Sequence, residues 1–330
     1  MAAPVVTVSA SGEFQRPDSA FRNFVSREPG AQFPSEAGRY HLYISHACPW
    51  AHRAMVVRQL KGLQEIISVT SVHNHGGAPG WKFAVAGQER PEINIVRDPL
   101  HSGTKYLGDI YRAENPQYEG RFTVPLLYDK IAKKIVNNES QDIIRMMNRE
   151  FDHLLKDAQK EVNLYPDDLA PVIDEANEWI YNGINNGVYK AGFAQSQKAY
   201  EDAVTNVFIA LDRVEAKLCE GPFFFGHRMT ETDVRLYTTL VRFDPVYNYH
   251  FKCNIRDIRS GYPAIHDWLR RMYWDVAACR DTTHFQIIKD NYTKDQTNIN
   301  PFAITAMGPV PHILPKDEEV ASAKRTSQRD

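Results

Sequence analysis

The stretch YHLYISHACPWAHR, residues 40–53, changes from a strand pattern to a helix pattern at a single cysteine. Its first five residues are rich in strand formers, and the apolar residues that follow the cysteine are compatible with a helix up to Leu60. Pro49 suits the first helical turn, because the amide that proline lacks has no intrahelical acceptor there. The stretch therefore predicts a β-strand, a Cys-Pro junction and a helix that starts beside Cys48.

Cys48 would lie at the mouth of this helix, where unpaired N–H groups and the positive end of the helix dipole face its sulfur. Such surroundings lower the pKa of a thiol, so the sequence predicts a thiolate near neutral pH. The alternative is a small buried cysteine that acts only as an apolar residue. Ala51 occupies the position where a dithiol redox motif would need its second cysteine. Any mixed disulfide at Cys48 would therefore be resolved by an external thiol.

The 330 residues carry a formal net charge of −2, which gives no field to hold nucleic acid or an anionic membrane. This length leaves room for two domains and an ample core. The chain has no apolar run of about 18 residues that could span a bilayer, and residues 1–10 lack the pattern of a secretory signal. Its cysteines (Cys48, Cys219, Cys253 and Cys279) show no disulfide-like spacing. We therefore expect a cytoplasmic protein whose partners include neither nucleic acid nor a membrane.

Strand and helix patterns alternate in the first half of the chain. A second strand at residues 65–72 follows the first helix, and a β-α-β unit of this length implies parallel pairing. Residues 121–129 form a further strand pattern, in which Pro125 marks an edge or a special site because it cannot donate to a central ladder. Asn138-Glu139-Ser140 then opens a helix, whose first amides make either an anion site or an ordinary polar start.

Three further segments carry loop signals. We expect residues 1–38 to form an extended arm, residues 73–120 a long inserted loop, and residues 296–330 a C-terminal tail. Long ordered loops are usually functional. His73 and His75 could form half of a metal site, but no cysteine or carboxylate stands beside them at ligand spacing. We therefore favour an ordinary loop and predict no metal.

Helical signals continue through the second half of the chain. Thr230-Glu-Thr-Asp233 is a capping box ahead of apolar residues, and predicts that a helix starts there. The predicted organisation is an α/β domain at residues 39–160, with the loop inserted in it, and an all-helical domain at residues 161–295.

Cys-Pro between a strand and a helix, Val-Pro before a strand and Glu-Ser at a helix start resemble the glutathione transferases. A fuller set of motifs looks like the xi class, the glutathionyl-hydroquinone reductases, in its fungal type. The match runs from about residue 38 to about residue 295, and the motifs of the second half are specific to that class. The fold it implies is a thioredoxin-like α/β N-terminal domain plus an all-α C-terminal domain. These motifs are CPWAHR (48–53), GWKF (80–83), RFTVP (121–125), NES (138–140), NNGVYKAGFA (185–194), FDPVY (243–247) and HFKCN (250–254).

The resemblance also assigns catalytic roles. It implies that Cys48 is the nucleophile and that Tyr189 is the proton donor and acceptor. The hydroxyls of Tyr247 and Tyr292 would lower the pKa of the Cys48 thiol.

Glutathione itself would be the co-substrate. By the same resemblance, the backbone of Val124 would pair with its cysteinyl part, and Arg121 can offer donors to a carboxylate or carbonyl. Ser140 and the helix amides would take the γ-glutamyl carboxylate, and Glu139 the ammonium group. The full set of implied binding residues is Trp81, Arg121, Val124, Pro125, Glu139 and Ser140.

The implied reaction removes glutathione from an S-glutathionyl-hydroquinone and yields hydroquinone and oxidised glutathione. Two alternatives stay open: an omega-like thiol transferase or dehydroascorbate reductase, and a protein that binds aromatic ligands without turnover. The family also implies a homodimer. One stretch, His73–Gly80, departs from the apolar, Pro- and Met-containing sequence common in relatives, and bears on the shape of the acceptor pocket.

Overall fold

The strand and the helix predicted on either side of Cys48 are both present in the computed structural model, which describes residues 7–75 and 80–318. The described strands are β1 (Thr7–Val8), β2 (Phe14–Gln15), β3 (Tyr40–Ile44), β4 (Ser68–Ser71), β5 (Asn74–His75), β6 (Trp81–Lys82), β7 (Leu126–Asp129) and β8 (Lys134–Asn137). The described helices are α1 (Pro49–Leu60), α2 (Leu107–Glu114), α3 (Ser140–Arg149), α4 (Asp157–Lys160), α5 (Ala170–Ile180), α6 (Gly187–Gly192), α7 (Gln197–Leu218), α8 (Glu231–Leu240), α9 (Ile258–Gly261), α10 (Pro263–Asp275), α11 (Ala277–Asp281) and α12 (Phe285–Asp295).

Strand β3 lies inside a mixed sheet, whose described strands run in the order β4-β3-β7-β8. It pairs in parallel with β4, with His41 opposite Ser68, and antiparallel with β7, with Tyr40 opposite Asp129. The parallel pairing predicted for the β-α-β unit is confirmed. Helix α1 packs against α3 on the sheet side and against α8 and α11 of the helical half. The helix that begins at Cys48 is therefore shared by both halves of the molecule.

Strand β7 is shorter than the strand predicted at residues 121–129. It begins at Leu126, directly after a cis peptide bond between Val124 and Pro125. Regular pairing with β3 starts beyond the proline, because proline has no N–H to donate to a ladder.

The segment predicted as an inserted loop, residues 73–120, contains a helix, α2. Asp109 caps its start by accepting a hydrogen bond from the Tyr106 amide at 3.0 Å, and Leu107, Ile110 and Tyr111 are buried. A helix of eight residues shows barely two turns of periodicity, which is too short to stand out in a segment rich in glycine and proline.

Helix α8 begins where the sequence predicts it, directly after Thr230. The buried carboxylate of Asp233 accepts a hydrogen bond from the Thr230 amide at 2.9 Å. It also accepts from the Phe224 amide at 2.9 Å and from Trp268 Nε1 at 3.1 Å. Asp233 therefore joins the start of α8 to the loop before it and to α10. Within the described ranges, no helix is both long and apolar enough to cross a membrane.

The N-terminal arm lies along both halves of the molecule. On the sheet side, the Phe21 amide donates to Asn138 Oδ1 at 3.0 Å and Arg22 pairs with Asp142. On the helical side, the Gln195 amide donates to the carbonyl of Gly12 at 2.9 Å. The arm therefore runs across the junction where α1 meets the helical half.

The described part of the C-terminal tail packs on the helical half. Lys289, on α12, donates to the carbonyl of Met307 at 2.8 Å, and Trp274 Nε1 donates to the carbonyl of Leu314 at 2.9 Å. Thr293 Oγ1 lies 2.6 Å from Thr305 Oγ1. These bonds hold the tail against α10 and against α12, the helix that carries Tyr292.

Candidate active site

A cavity of about 250 Å³ opens where the arm, the sheet half and the helical half meet. Cys48 lines it at the start of α1. Of the residues selected from the sequence, the structure brings all but Tyr247 to the cavity wall: Cys48, Trp81, Arg121, Val124, Pro125, Glu139, Ser140, Tyr189 and Tyr292.

Cys48 is the N-cap residue of α1, and the amides of Trp50 and Ala51 are the backbone groups that act on its sulfur. The thiol donates a weak hydrogen bond to the carbonyl of Val124, with 3.5 Å between sulfur and oxygen. Part of the side chain can be reached through the cavity, while the surrounding protein removes most of its water. Burial raises the pKa of the Cys48 thiol above its ordinary value, and the amides of Ala51 and Trp50 act in the opposite direction.

The prediction of a lowered pKa for Cys48 is therefore wrong for this structure. The helix start is where the sequence places it, but desolvation of the thiolate outweighs the favourable amides. A local pattern reveals the amides and does not reveal how deeply the surrounding segments bury the sulfur.

Glu139 and Ser140 lie at the start of α3, as predicted. Glu139 acts as N-cap and accepts a hydrogen bond from the Gln141 amide at 3.1 Å, so this amide is already occupied. Arg53 supplies a cation at this point: it donates to Ser140 Oγ at 3.3 Å and to Asn185 Oδ1 at 2.8 Å. Burial lowers the pKa of Arg53 to about 9, which still leaves it positive at neutral pH. The corner therefore combines a hydroxyl, a helix start and a buried cation, and suits a carboxylate.

Arg121 and Trp81 line the same cavity from the segment before β7 and from β6. Burial, followed by the nearby Arg16, lowers the pKa of Arg121. Two guanidinium groups near one another in one cavity favour a ligand with negative charge.

The hydroxyls of Tyr189, Tyr247 and Tyr292 form a hydrogen-bonded chain. Tyr292 lies in the middle, 2.5 Å from the oxygen of Tyr189 and 3.0 Å from the oxygen of Tyr247. Burial, with the neighbouring Cys48, raises the pKa of Tyr189, which therefore holds its proton at neutral pH. That the Tyr247 and Tyr292 hydroxyls lower the pKa of Cys48 stays a prediction: in this structure both hydroxyls bond to tyrosines, and of the two only Tyr292 lines the cavity.

Arg16, on the arm, lines the site and was not selected from the sequence. The central carbon of its guanidinium lies 4.8 Å from the ring centre of Trp50 and 4.9 Å from that of Tyr189. Its Nε donates to Asn186 Oδ1 at 2.7 Å. Nearby, Ser19 donates to Glu139 Oε2 at 3.0 Å. The arm matches no motif, and its phenylalanines (Phe14, Phe21, Phe24 and Phe33) indicate that it packs on the protein but not where.

The described part of the chain has no group of three or more His, Cys, Asp or Glu side chains that could hold a metal ion. Residues 76–79, half of the His73–Gly80 departure, lie outside the described residues, as do residues 1–6 of the arm and 319–330 of the tail.

Two family models match the chain. The model of the glutathione S-transferase N-terminal domain matches residues 47–150, and that of the C-terminal domain matches residues 197–271. The first contains Cys48, Arg121 and Ser140, and the second contains Tyr247.

Individual relatives cover nearly the whole chain. Glutathione S-transferase omega-like 2 of Schizosaccharomyces pombe is 50% identical over 308 residues, which are 92% of this chain and 96% of the relative. Glutathionyl-hydroquinone reductase YqjG of Escherichia coli is 44% identical over 309 residues, or 92% and 91% of the two chains. The crystal structure of the glutathione S-transferase Xi from Phanerochaete chrysosporium superimposes with a TM-score of 0.90 at 48% identity, covering 94% and 97% of the chains. The two domain matches, the Cys-Pro helix start and the cavity between the halves agree with these similarities. The chain therefore belongs to the Xi class of glutathione transferases.

Proposed function

We propose that this chain is a glutathione-dependent reductase that removes glutathione from S-glutathionyl-hydroquinones through a mixed disulfide on Cys48. The observation that carries the proposal is the position of Cys48, at a helix start in a cavity that also contains the Tyr189–Tyr292 pair and no second described cysteine. The name of the E. coli relative, glutathionyl-hydroquinone reductase, supports the same activity.

In the first half-reaction, the Cys48 thiolate attacks the sulfur of the conjugate. A disulfide forms between Cys48 and glutathione while the bond between that sulfur and the aromatic carbon breaks. The electron pair stays with the aromatic carbon, which takes a proton and leaves as hydroquinone. The ring is therefore reduced and the two sulfurs are oxidised to a disulfide.

Tyr189 is suited to the proton transfers of this step. Its hydroxyl is in the cavity, keeps its proton at neutral pH, and is linked to the hydroxyl of Tyr292 at 2.5 Å. Tyr189 would move a proton on the aromatic ring as it tautomerises, and Tyr292 would orient and replenish the Tyr189 hydroxyl.

In the second half-reaction, the thiolate of another glutathione attacks the Cys48–glutathione disulfide. Oxidised glutathione leaves and the Cys48 thiolate is restored. Ser140 with Arg53 would hold the γ-glutamyl carboxylate, Glu139 the ammonium group, and Trp81, Arg121, Val124 and Pro125 the rest of the tripeptide. The existence of a glutathione-bound structure of E. coli YqjG, 42% identical to this chain, supports this binding site.

We also propose that the enzyme works in the cytoplasm as a homodimer, with domains at residues 39–160 and 161–295. All four cysteines lie in the described residues and form no disulfide, which supports a reducing compartment. Sedimentation of the purified chain would measure the dimer.

A single-turnover experiment tests the proposed function. Treatment with a glutathionyl-hydroquinone alone should release about one equivalent of hydroquinone and leave one glutathione on Cys48, as expected for a covalent intermediate. Mass spectrometry locates the adduct, and added glutathione should clear it and restart turnover. Cys48→Ser should abolish the reduction. An adduct on Cys219, Cys253 or Cys279, or continued turnover without glutathione, would contradict the proposal.

The same preparation separates the alternatives. Faster turnover of a simple mixed disulfide or dehydroascorbate than of the glutathionyl-hydroquinone would favour an omega-like thiol transferase. Tight binding of aromatics without consumption of glutathione would favour a binding protein.

A further inference from the structure

Arg242 lies directly after α8, behind the segment that leads into Cys48. Its side chain is fully buried, at 0% exposure. Nε donates to the carbonyl of Ala47 at 3.1 Å, and Nη2 donates to the carbonyl of His46 at 3.1 Å. The guanidinium of Arg242 thus binds the two carbonyl oxygens that precede Cys48, although almost two hundred residues separate Arg242 from them in sequence.

The remaining partners of Arg242 are also neutral. Nη1 donates to the carbonyl of Thr238 at 2.6 Å and faces His52 Nδ1 at 3.0 Å. Thr282 Oγ1 donates to the carbonyl of Ala278 at 2.6 Å, so it accepts from His52 Nε2, 2.9 Å away. His52 Nδ1 is then the unprotonated nitrogen that accepts from Arg242. Burial, and next Arg242, lowers the pKa of His52 well below its ordinary value, which keeps this imidazole uncharged.

No carboxylate compensates the charge of Arg242 among the residues that the structure describes. A buried cation without an anion is costly, so proteins usually pair such a group. Arg235, on α8, shows the paired arrangement, since it lies beside Glu231 of its own helix. Cys48 follows Ala47 directly. When its thiol ionises, the thiolate can supply the negative charge that Arg242 lacks.

We propose that Arg242 is a positioning residue for the reaction: its buried charge stabilises the Cys48 thiolate, and its hydrogen bonds fix the peptide that presents the sulfur. This inference rests on the proposed function, because it requires Cys48 to react as a thiolate. The charge of Arg242 acts against the burial that disfavours the Cys48 thiolate. Burial raises the pKa of Cys48, while the amides of Ala51 and Trp50, then Arg242 and Arg16, lower it.

Several other groups face the sulfur and must be distinguished from Arg242. Arg16 and Arg121 belong to the cavity wall, where a ligand can meet them and solvent can screen them. Around Arg242 lie His46, His52 and His284, and burial lowers the pKa of each. The remaining titratable groups on the described cavity wall are Asp18, Glu139, Tyr181, Tyr189, Tyr292 and Asp295.

The test is the pH dependence of Cys48 alkylation by iodoacetamide in the absence of glutathione, with Cys48→Ser as the blank. Arg242→Gln should move the midpoint upward by about one pH unit, because a nearby opposite charge is lost. Arg242→Lys keeps the charge and should move it by less than about half a unit. Arg270→Gln is the matched control: Arg270 is a buried arginine that donates to the Glu318 carbonyl of the tail. It should lower the melting temperature without moving the midpoint.

A second pair of variants covers the case in which Arg242→Gln fails to fold. His52→Glu would place a carboxylate on Arg242 and cancel its charge, whereas His52→Gln has the same shape without the charge. We expect the first to raise the midpoint by about one unit and the second to leave it in place. A reactive Cys48 whose midpoint moves in neither Arg242→Gln nor His52→Glu would overturn the inference alone. A Cys48 that stays unreactive in the parent would overturn the proposed function itself.

Discussion

At the scale of single residues, Arg53 changes what the start of α3 can bind. The Gln141 amide is already taken by Glu139, so the helix backbone offers fewer free donors than an uncapped helix start. Arg53 compensates for this with a buried positive charge, which also orients Ser140 Oγ through a 3.3 Å hydrogen bond. Glutathione affinity should therefore depend on the Ser140 hydroxyl and on its neighbouring charges together.

We predict that Ser140→Ala weakens glutathione binding by roughly tenfold, about 1.4 kcal/mol, because a carboxylate loses one hydrogen bond in a buried corner. Calorimetric titration of the variant with glutathione measures the change. Ser260→Ala is the control, since the hydroxyl of Ser260, on α9, bonds to the N-cap residue Asp257 and its loss should leave the affinity unchanged. Parent-like affinity in Ser140→Ala would remove this residue from the glutathione site.

Glu139→Gln tests the other charge of the same corner. Glutamine keeps the shape and can still accept from the Gln141 amide, so the helix start should survive. It loses the negative charge that would pair with the ammonium group of glutathione, and we expect a loss of affinity of about tenfold. Equal affinity of variant and parent would assign Glu139 to helix capping only.

The chain of tyrosine hydroxyls predicts that Tyr189 and Tyr247 affect the reaction to different degrees. Tyr189→Phe should slow hydroquinone release by roughly a hundredfold, the usual range for loss of a proton-transfer group. Attack on a simple mixed disulfide should stay nearly normal, because that substrate needs no proton on an aromatic carbon. Tyr247→Phe is the matched control: it removes a hydroxyl from the same chain, but behind the cavity, and should have a much smaller effect. Stopped-flow measurement of both substrates distinguishes these outcomes; equal slowing of both would contradict the role of Tyr189.

At the scale of elements, the start of α8 depends on a carboxylate with more partners than a capping box requires. Asp233→Ala leaves the amides of Thr230 and Phe224 and the indole of Trp268 without their acceptor. We therefore expect a loss of about 3 kcal/mol in the free energy of unfolding, larger than the ~1 kcal/mol of a surface cap. Asp257→Ala, which removes the cap of α9, provides that smaller reference value. Urea unfolding of both variants checks the difference, and equal losses would contradict the wider role of Asp233.

The same carboxylate predicts a pH dependence of stability. Burial raises the pKa of Asp233 from 3.8 to about 6, so the folded chain binds this proton more tightly than the unfolded chain. The stability that protonated Asp233 gives the folded chain is fully present below about pH 4 and is lost as the pH rises to about 6. Relative to Asp233→Asn, the parent should therefore lose stability between pH 4 and pH 6. Urea unfolding at intervals across this window measures the difference, which should be constant above about pH 7; a flat difference throughout would contradict the buried charge.

At the scale of the whole molecule, short sequence patterns predicted where helices start, whereas the surroundings of the reactive sulfur depend on contacts between distant segments. The Cys-Pro helix start and the Thr230 helix start follow from neighbours within a few residues, and both are present. The pKa of Cys48 could not be predicted, because it depends on segments that fold over the sulfur from distant parts of the chain. Arg242 belongs to the same class: its sequence neighbours give no sign that its guanidinium reaches the carbonyls of His46 and Ala47.

The N-terminal arm contacts both halves of the molecule and contributes a residue to the cavity between them. It is hydrogen-bonded to the sheet half through Phe21 and to the helical half through Gly12. Between these points, Arg16 lies over Trp50 of α1 and Tyr189 of α6, so that a single guanidinium spans the cavity between the halves. The cation covers two aromatic faces while its Nε is held by Asn186, and its remaining nitrogens can meet a ligand in the cavity.

We predict that Arg16→Gln raises the Michaelis constant for a glutathionyl-hydroquinone by roughly tenfold, because cation–π contacts and donors to an anionic ligand are both lost. Arg27→Gln is the matched control: Arg27 is an exposed arginine of the same arm and lies outside the cavity, and its loss should leave the Michaelis constant unchanged. The Michaelis constant of Arg16→Lys should lie between those of the parent and of Arg16→Gln, since lysine keeps the charge but not the planar stacking. Steady-state kinetics with the three variants measure the order. Equal constants for Arg16→Gln and Arg27→Gln would mean that the arm only covers the cavity, and that the two halves bind the substrate without it.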